Sequence, residues 1–235
     1  MQLKDRILYE DNHLIIVNKL SGEIVQGDKT GDIPLVELVR VYLKEQYQKP
    51  GNVFCGLVHR IDRPVSGVVI FAKTSKALTR MNELVKDRQL EKKYWTLTEG
   101  IIEKDEADLV HYLKKNEKLN KSFASAEFKS GWQKAELHFK VLKRFDRYTL
   151  LEIDLKTGRH HQIRVQLSAT GHPICGDLKY GAKRSLEDGS ILLHARSVRF
   201  IHPVRQEPVY VEAGNFPELE SVHSGLSMFK SCRIM

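Results

Sequence analysis

Leu14 to Val17 is an unbroken apolar run rich in β-branched residues and closed by Ser21-Gly22, the pattern of a buried strand. After Pro34 the period changes. Leu35, Leu38, Val39, Tyr42 and Leu43 recur at helical spacing as far as Pro50-Gly51, so an amphipathic helix with proline in its first turn is expected. Val68 to Ala72 predicts a second strand, and Ser75 offers an N-cap to a second helix whose apolar face carries Leu78, Met81 and Val85. Tyr94 to Glu99 follows as a third strand.

The stretch from Glu103 to Lys121 breaks this regularity. Lys114, Lys115, Lys118 and Lys121 are relieved only by Glu117, apolar positions are few, and an exposed connection or loose hairpin is expected. Alternation then returns in Leu137, Phe139 and Val141 and again in Leu151, Ile153 and Leu155, giving strands with one wet face. A helix is expected from His160 to Ala169, stopped by Gly171 and Pro173, and two last strands at Ile191 to Phe200 and Val209 to Ala213. The sum is an α+β fold with a mixed, mostly antiparallel sheet and flanking helices, lacking the strand-helix alternation of a doubly wound sheet.

A chain of 235 residues that is 41% hydrophobic can bury its own core. Lys and Arg number 38 against 30 Asp and Glu, and the net charge of +8 points to a polyanionic partner or substrate, with nucleic acid the first candidate. Cys55, Cys175 and Cys232 are odd in number and widely spaced, which argues against a disulfide framework and for a reducing cytoplasm. No apolar run approaches the roughly 20 residues that cross a bilayer, and Met1 to Glu10 does not read as a signal peptide. Secreted and membrane-spanning classes, and a membrane partner, are therefore excluded.

Two segments concentrate chemistry. Gly56 to Gly67 (GLVHRIDRPVSG) sets a His, two Arg, an Asp and a Ser in a loop ahead of a strand. Asp62 there can act as nucleophile, base or metal ligand, or be a turn aspartate paired with a neighbouring arginine. Leu155 to Leu167 (LKTGRHHQIRVQL) sets a cationic block between a strand and a helix. With a helix from His160, His160 and Arg164 share one face and Ile163 and Leu167 another, and an inward arginine needs a buried anion; the competing reading is a solvated arginine on a surface helix. Adjacent histidines on a helix diverge by about 100°, and no Cys or carboxylate stands at ligand spacing, so no metal is expected. Neither GxGxxG nor GxxxxGK[ST] occurs. Buried, inert cysteine is favoured over a thiol nucleophile at Cys55 and Cys175.

HRIDRPVSGVVIFAKT closely resembles the HRLDxxTSG motif of the RluA family of pseudouridine synthases, and TGRHHQIRVQLSATGHPICGDLKYG resembles that family's second signature. The resemblance takes in Lys93-Tyr94 with Gly100, Leu193-His194-Ala195 and His202-Pro203, and covers about residues 7 to 214. Leu20 and Ser21 depart from the family's Lys-Pro-x-Gly run, Val65 replaces its Thr, and His160 replaces the Thr before His-Gln-Ile-Arg.

The resemblance implies the pseudouridine synthase fold with a central catalytic cleft, over residues 1–217, with 218–235 as a C-terminal tail. The pattern starts within the first dozen residues, so no S4 module is expected. It implies isomerisation of a specific uridine in structured rRNA or tRNA, by a cytoplasmic monomer using neither metal nor organic cofactor. Asp62 falls on the family's catalytic aspartate, Arg164 on the basic residue paired with it, and Tyr94 on the aromatic that stacks on the target base. Arg60 falls on an arginine that fills the gap left by the flipped base. His59, Arg159, His161 and Gln162 stand beside these as substrate-binding candidates. Physical chemistry agrees with such roles. Extruding a base costs a few kcal/mol, an aromatic platform returns about 1–3 kcal/mol, and Arg164, charged at any relevant pH, would offset desolvation of a carboxylate beneath the base. From Lys140 to Arg164 seven Lys and Arg face three acids, a surface suited to phosphates. The rival readings are a catalytically silent RNA-binding module and a hydrolase built on Asp62 and His59.

Overall fold

The computed structural model describes residues 2–28, 30–214 and 216. In chain order the elements are β1 Ile7–Glu10, β2 Leu14–Lys19, α1 Leu35–Gln46, β3 Gly56–Leu57, β4 Ser66–Ala72, α2 Ser75–Lys86, β5 Glu91–Glu99, β6 Glu106–Asn116, β7 Lys121–Ser125, β8 Gln133–Arg144, β9 Tyr148–Leu155, α3 Gln162–Ala169, β10 Leu193–Ile201 and β11 Pro208–Glu212. They form two compact units. Among the described residues the first runs to Glu91 and takes back Ala195–Gly214, and the second holds Lys92–His194 with Phe216. The tail 218–235 and Cys232 lie outside the described residues. No described helix is long and apolar enough to cross a membrane.

In the first unit β2 pairs antiparallel with β1 on one side and with β4 on the other, in register from Leu14 opposite Ala72 to Lys19 opposite Gly67. The unbroken apolar run of β2 follows from this central position, since Leu14, Ile15, Ile16 and Val17 are all fully buried. Leu14, Ile16, Val68, Ile70, Val198 and Phe200 form one core, against which α2 lays Ala77 and Met81. The N-cap of α2 is Thr74, one residue before the expected Ser75; its Oγ1 accepts the amide of Ala77 at 3.1 Å. Helix α1 buries Leu35, Val39 and Leu43 of its expected face, with Leu38 and Tyr42 half-buried, and it also buries Val36, which the spacing did not mark.

The second unit is an antiparallel sheet in the order β5-β9-β8-β6-β7. Its largest difference from expectation is the segment read as an exposed connection or loose hairpin, which is an ordered hairpin with one long arm. Glu106–Asn116 is an eleven-residue strand, laddered to β8 from Glu106 opposite Lys140 to Leu113 opposite Gln133, and to β7 from Tyr112 to Asn116. Only Leu113 of this strand is buried, so backbone hydrogen bonding to two neighbours orders it where apolar content does not. Helix α3 also differs: it starts at Gln162, after His161 in the left-handed region at φ 55°, and Gln162 to Leu167 are all buried. A helix buried all round has no apolar stripe to reveal its phase.

Candidate active site

The loop carrying Asp62 joins β3 to β4 and is anchored by buried Val58, Ile61 and Val65, which leaves Asp62 half-buried and Arg60 and Arg63 exposed. A turn closes at Asp62, whose carbonyl accepts the amide of Val65 at 3.1 Å. His59 is tied to β4 through Nε2, which accepts the amide of Ile70 at 3.3 Å. The next residue is fixed most heavily. The Arg63 carbonyl accepts the amide of Gly22 at 2.9 Å and Nζ of Lys19 at 3.0 Å, and Arg63 Nε returns a bond to the Gly22 carbonyl at 3.1 Å. The Arg63 guanidinium also pairs with Asp32.

Lys19 was not among the expected site residues. It ends β2 fully buried, and its Nζ bridges the carbonyls of Leu20 at 2.8 Å and Arg63 at 3.0 Å. Burial lowers its amine to about 7, opposed by the negative charges of Glu23 and Asp62. A lysine closing an apolar run reads as a strand end turned to water, so hydropathy gave no sign of this brace.

The second group gathers at the start of α3. Arg164 is buried and grips Asp177 with two nitrogens, Nε to Oδ2 at 2.7 Å and Nη2 to Oδ1 at 2.8 Å. Its guanidinium lies 5.1 Å from the ring centroid of Tyr180. The expected buried anion for this arginine therefore exists, and Asp177 is at least one such partner. Tyr180 also accepts the amide of Ser122 at 2.8 Å and shares a 2.8 Å hydrogen bond with Nδ1 of His161. Asp177 and Tyr180 stand in the second signature, but no chemistry marks them apart from an ordinary turn.

His160 and His161 precede the helix instead of lying on it, and their rings stack at 3.7 Å rather than diverging. The shared face expected for His160 and Arg164 is thus absent. His160 instead reaches the β6–β7 hairpin, through Ser122 Oγ at 2.8 Å and Asn120 Oδ1 at 3.2 Å. Gln162 uses its amide to shape the preceding loop: Oε1 accepts Thr157 Oγ1 at 2.7 Å and the Arg159 amide at 3.0 Å, while Nε2 donates to the Glu136 carbonyl at 3.0 Å. Arg159 remains exposed, with Nε on the Lys134 carbonyl at 3.2 Å. Tyr94 sits on β5 opposite Ile153 and is mostly buried.

Asp62, His59 and Arg60 thus belong to the first unit, and Tyr94, Arg159, His161, Gln162 and Arg164 to the second. Cys55 and Cys175 are buried free thiols; burial pushes Cys55 up to about 12 and raises Cys175 as well, which makes both poor nucleophiles near neutrality. Among the described residues no three His, Cys, Asp or Glu side chains group as metal ligands would.

The model of the RNA pseudouridylate synthase family matches residues 13–169, a span holding the Asp62 loop, β5 and α3. The chain belongs to that family. The synthase is 37% identical over 218 residues to the ribosomal large subunit pseudouridine synthase C of Buchnera aphidicola subsp. Acyrthosiphon pisum, across 90% of this chain and 67% of that one. It is 33% identical over 210 residues to the uncharacterized RNA pseudouridine synthase YlyB of Bacillus subtilis, across 88% and 68%. It therefore spans about two thirds of the length of these relatives. The solved structure of human RNA pseudouridylate synthase domain containing 4 superimposes with a TM-score of 0.78 at 23% identity, covering 94% of this chain and 93% of that one, and so shares the fold. The likeness to RluA-type synthases read from the two motifs holds, and the α+β, mostly antiparallel architecture is that of its structural neighbours.

Proposed function

We propose that the synthase isomerises a specific uridine of a structured rRNA or tRNA, in the cytoplasm and without a cofactor, with Asp62 as nucleophile and the target base flipped from its stack. The bond from ribose C1′ to N1 breaks, the base turns, C5 bonds to C1′, the C5 proton leaves to solvent and N1 gains one. Asp62 supplies an anion to C1′ or C6, or assists departure of the base as a glycal. Tyr94 supplies the stacking face, and Arg60 fills the place the base vacates. Arg164, held by Asp177 through Nε and Nη2, is assigned as the basic residue that serves the catalytic aspartate. Arg159 belongs to the RNA-facing surface, and the buried His161 and Gln162 are assigned to shaping the loop that presents it.

The observation that carries this reading is the bracing of the Asp62 loop. A buried lysine, a paired arginine and three apolar anchors fix the backbone on either side of one half-buried carboxylate. Preorganisation of that kind serves a group that must meet a reacting atom at set geometry. Sequence-matched relatives named for large-subunit RNA favour rRNA as the first substrate to try. The test is release of tritium from rRNA or tRNA carrying uridine labelled at C5. The expected result is label released to water with the chain uncut; no release from any unmodified rRNA or tRNA would overturn the proposal.

A further inference from the structure

Lys92 has a different standing from the cations around it. On the same unit Lys93 pairs with Glu152, Lys134 with Glu136 and Lys156 with Asp154. Lys92 is half-buried at the start of β5, and its Nζ lies beside Gly158: a Cβ placed on that glycine would stand 3.6 Å from the nitrogen, at ordinary contact distance. Burial alone pushes the amine below the ordinary lysine range, and no carboxylate among the described residues offsets it. A partly desolvated ammonium without an anion is a cost to folding that a ligand anion would remove.

The strand says where that anion would come from. Residues two apart on a strand share a face, about 7 Å from one another, so Lys92 stands on the face of Tyr94 and beside the loop that presents Arg159. We propose that Lys92 is a substrate-binding residue whose ammonium receives a backbone phosphate of the RNA next to the target uridine. This rests on the reading of Tyr94 as the stacking platform, because seven angstroms is comparable to the reach from a stacked base to its own sugar-phosphate.

The test uses the full chain and a uridine-containing RNA oligonucleotide, and reads binding without turnover. Lys92→Met should weaken RNA binding about 10-fold at low salt and reduce the slope of log Kd against log salt by about 0.7, while the melting temperature holds or rises. Lys92→Arg should retain most of the affinity. Gly158→Asp supplies an internal carboxylate to the intact lysine, and should reproduce the loss of affinity without removing Lys92. Wild-type affinity and slope in Lys92→Met would overturn the proposal, as would a fall in its melting temperature of several degrees, which marks a structural lysine. A wild-type chain that binds no RNA at any salt would overturn it too. A chain that binds RNA but releases no tritium would instead fail the isomerisation reading and leave the Lys92 result to stand on its own.

Discussion

Arg164 shows what one residue can and cannot announce. Its inward position at the second signature called for a buried anion, and the structure supplies Asp177, 13 residues on and almost wholly buried. Spacing could not name this partner, because the pair is closed by a short helical turn at Leu178–Tyr180 that has no periodicity to read. Lys19 was hidden for the opposite reason: its chemistry is plain, but one of the two carbonyls that hold its ammonium is contributed by Arg63, 44 residues away. Breaking the Arg164–Asp177 pair by Arg164→Met leaves an uncompensated carboxylate in the interior and should cost about 3–5 kcal/mol in chemical denaturation. Asp177→Asn in the same chain should return part of that loss, since the two charges no longer need each other. Strict additivity of the two single variants would show that their contact carries no coupling.

The elements were legible wherever burial is one-sided or complete over a short run. Helices α1 and α2 and strands β2, β4, β8 and β9 declare themselves in this way, each within a few residues of its expected bounds. Strand β6 did not, because its order comes from two ladders and not from apolar side chains, and α3 was misplaced because its polar residues are buried along with the apolar ones. The glycine that closes HRIDRPVSG has its cause at this scale. Gly67 opens β4 with φ 113°, and a Cβ there would lie 2.3 Å from the Ala195 carbonyl oxygen and 2.7 Å from its nitrogen, both backbone atoms that cannot rotate away. Gly67→Ala should therefore cost at least about 2 kcal/mol, and an alanine variant melting at the wild-type temperature would contradict this packing.

At the same scale the β10–β11 turn is held by His202, which is fully buried. Its Nδ1 accepts the amides of Val204 at 3.2 Å and Arg205 at 2.9 Å, so the ring proton sits on Nε2, which faces Asp11 Oδ2 at 3.0 Å. Burial holds this imidazole below the ordinary histidine range, with the Asp11 charge opposing. A base whose folded pKa is lowered takes up its proton first in the unfolded chain. Its contribution is complete above the unfolded value of about 6.5 and declines as the pH falls below it. Asp11, held below the usual carboxylate range by the amides of His13 and Leu14 against the cost of burial, adds a second loss in stronger acid. The melting temperature should accordingly fall between pH 7 and pH 5, and replacement of His202 by Gln should flatten that dependence; an equal fall in both proteins would assign the acid sensitivity elsewhere.

Over the whole molecule the charge of +8 is the feature that composition gave most directly and location least. The lysine run is part of an ordered hairpin, and two of its members have protein partners: Lys115 pairs with Glu117, and Lys121 lies over the Tyr180 ring at 5.1 Å. Replacing Lys114, Lys115, Lys118 and Lys121 by Gln should therefore reduce the salt slope of RNA binding by about 1.4, the share of two phosphate contacts at Lys114 and Lys118. An unchanged slope would make the run a solvated face and move the RNA path to the segment from Lys140 to Arg159. The central claim, that Asp62 is the nucleophile of a uridine isomerisation, has a more direct test in tritium release by Asp62→Asn, measured beside RNA affinity. The account predicts that release vanishes while affinity stays within a few fold of wild type, because removing an anion does not weaken phosphate binding. Substantial turnover by the asparagine variant would contradict it.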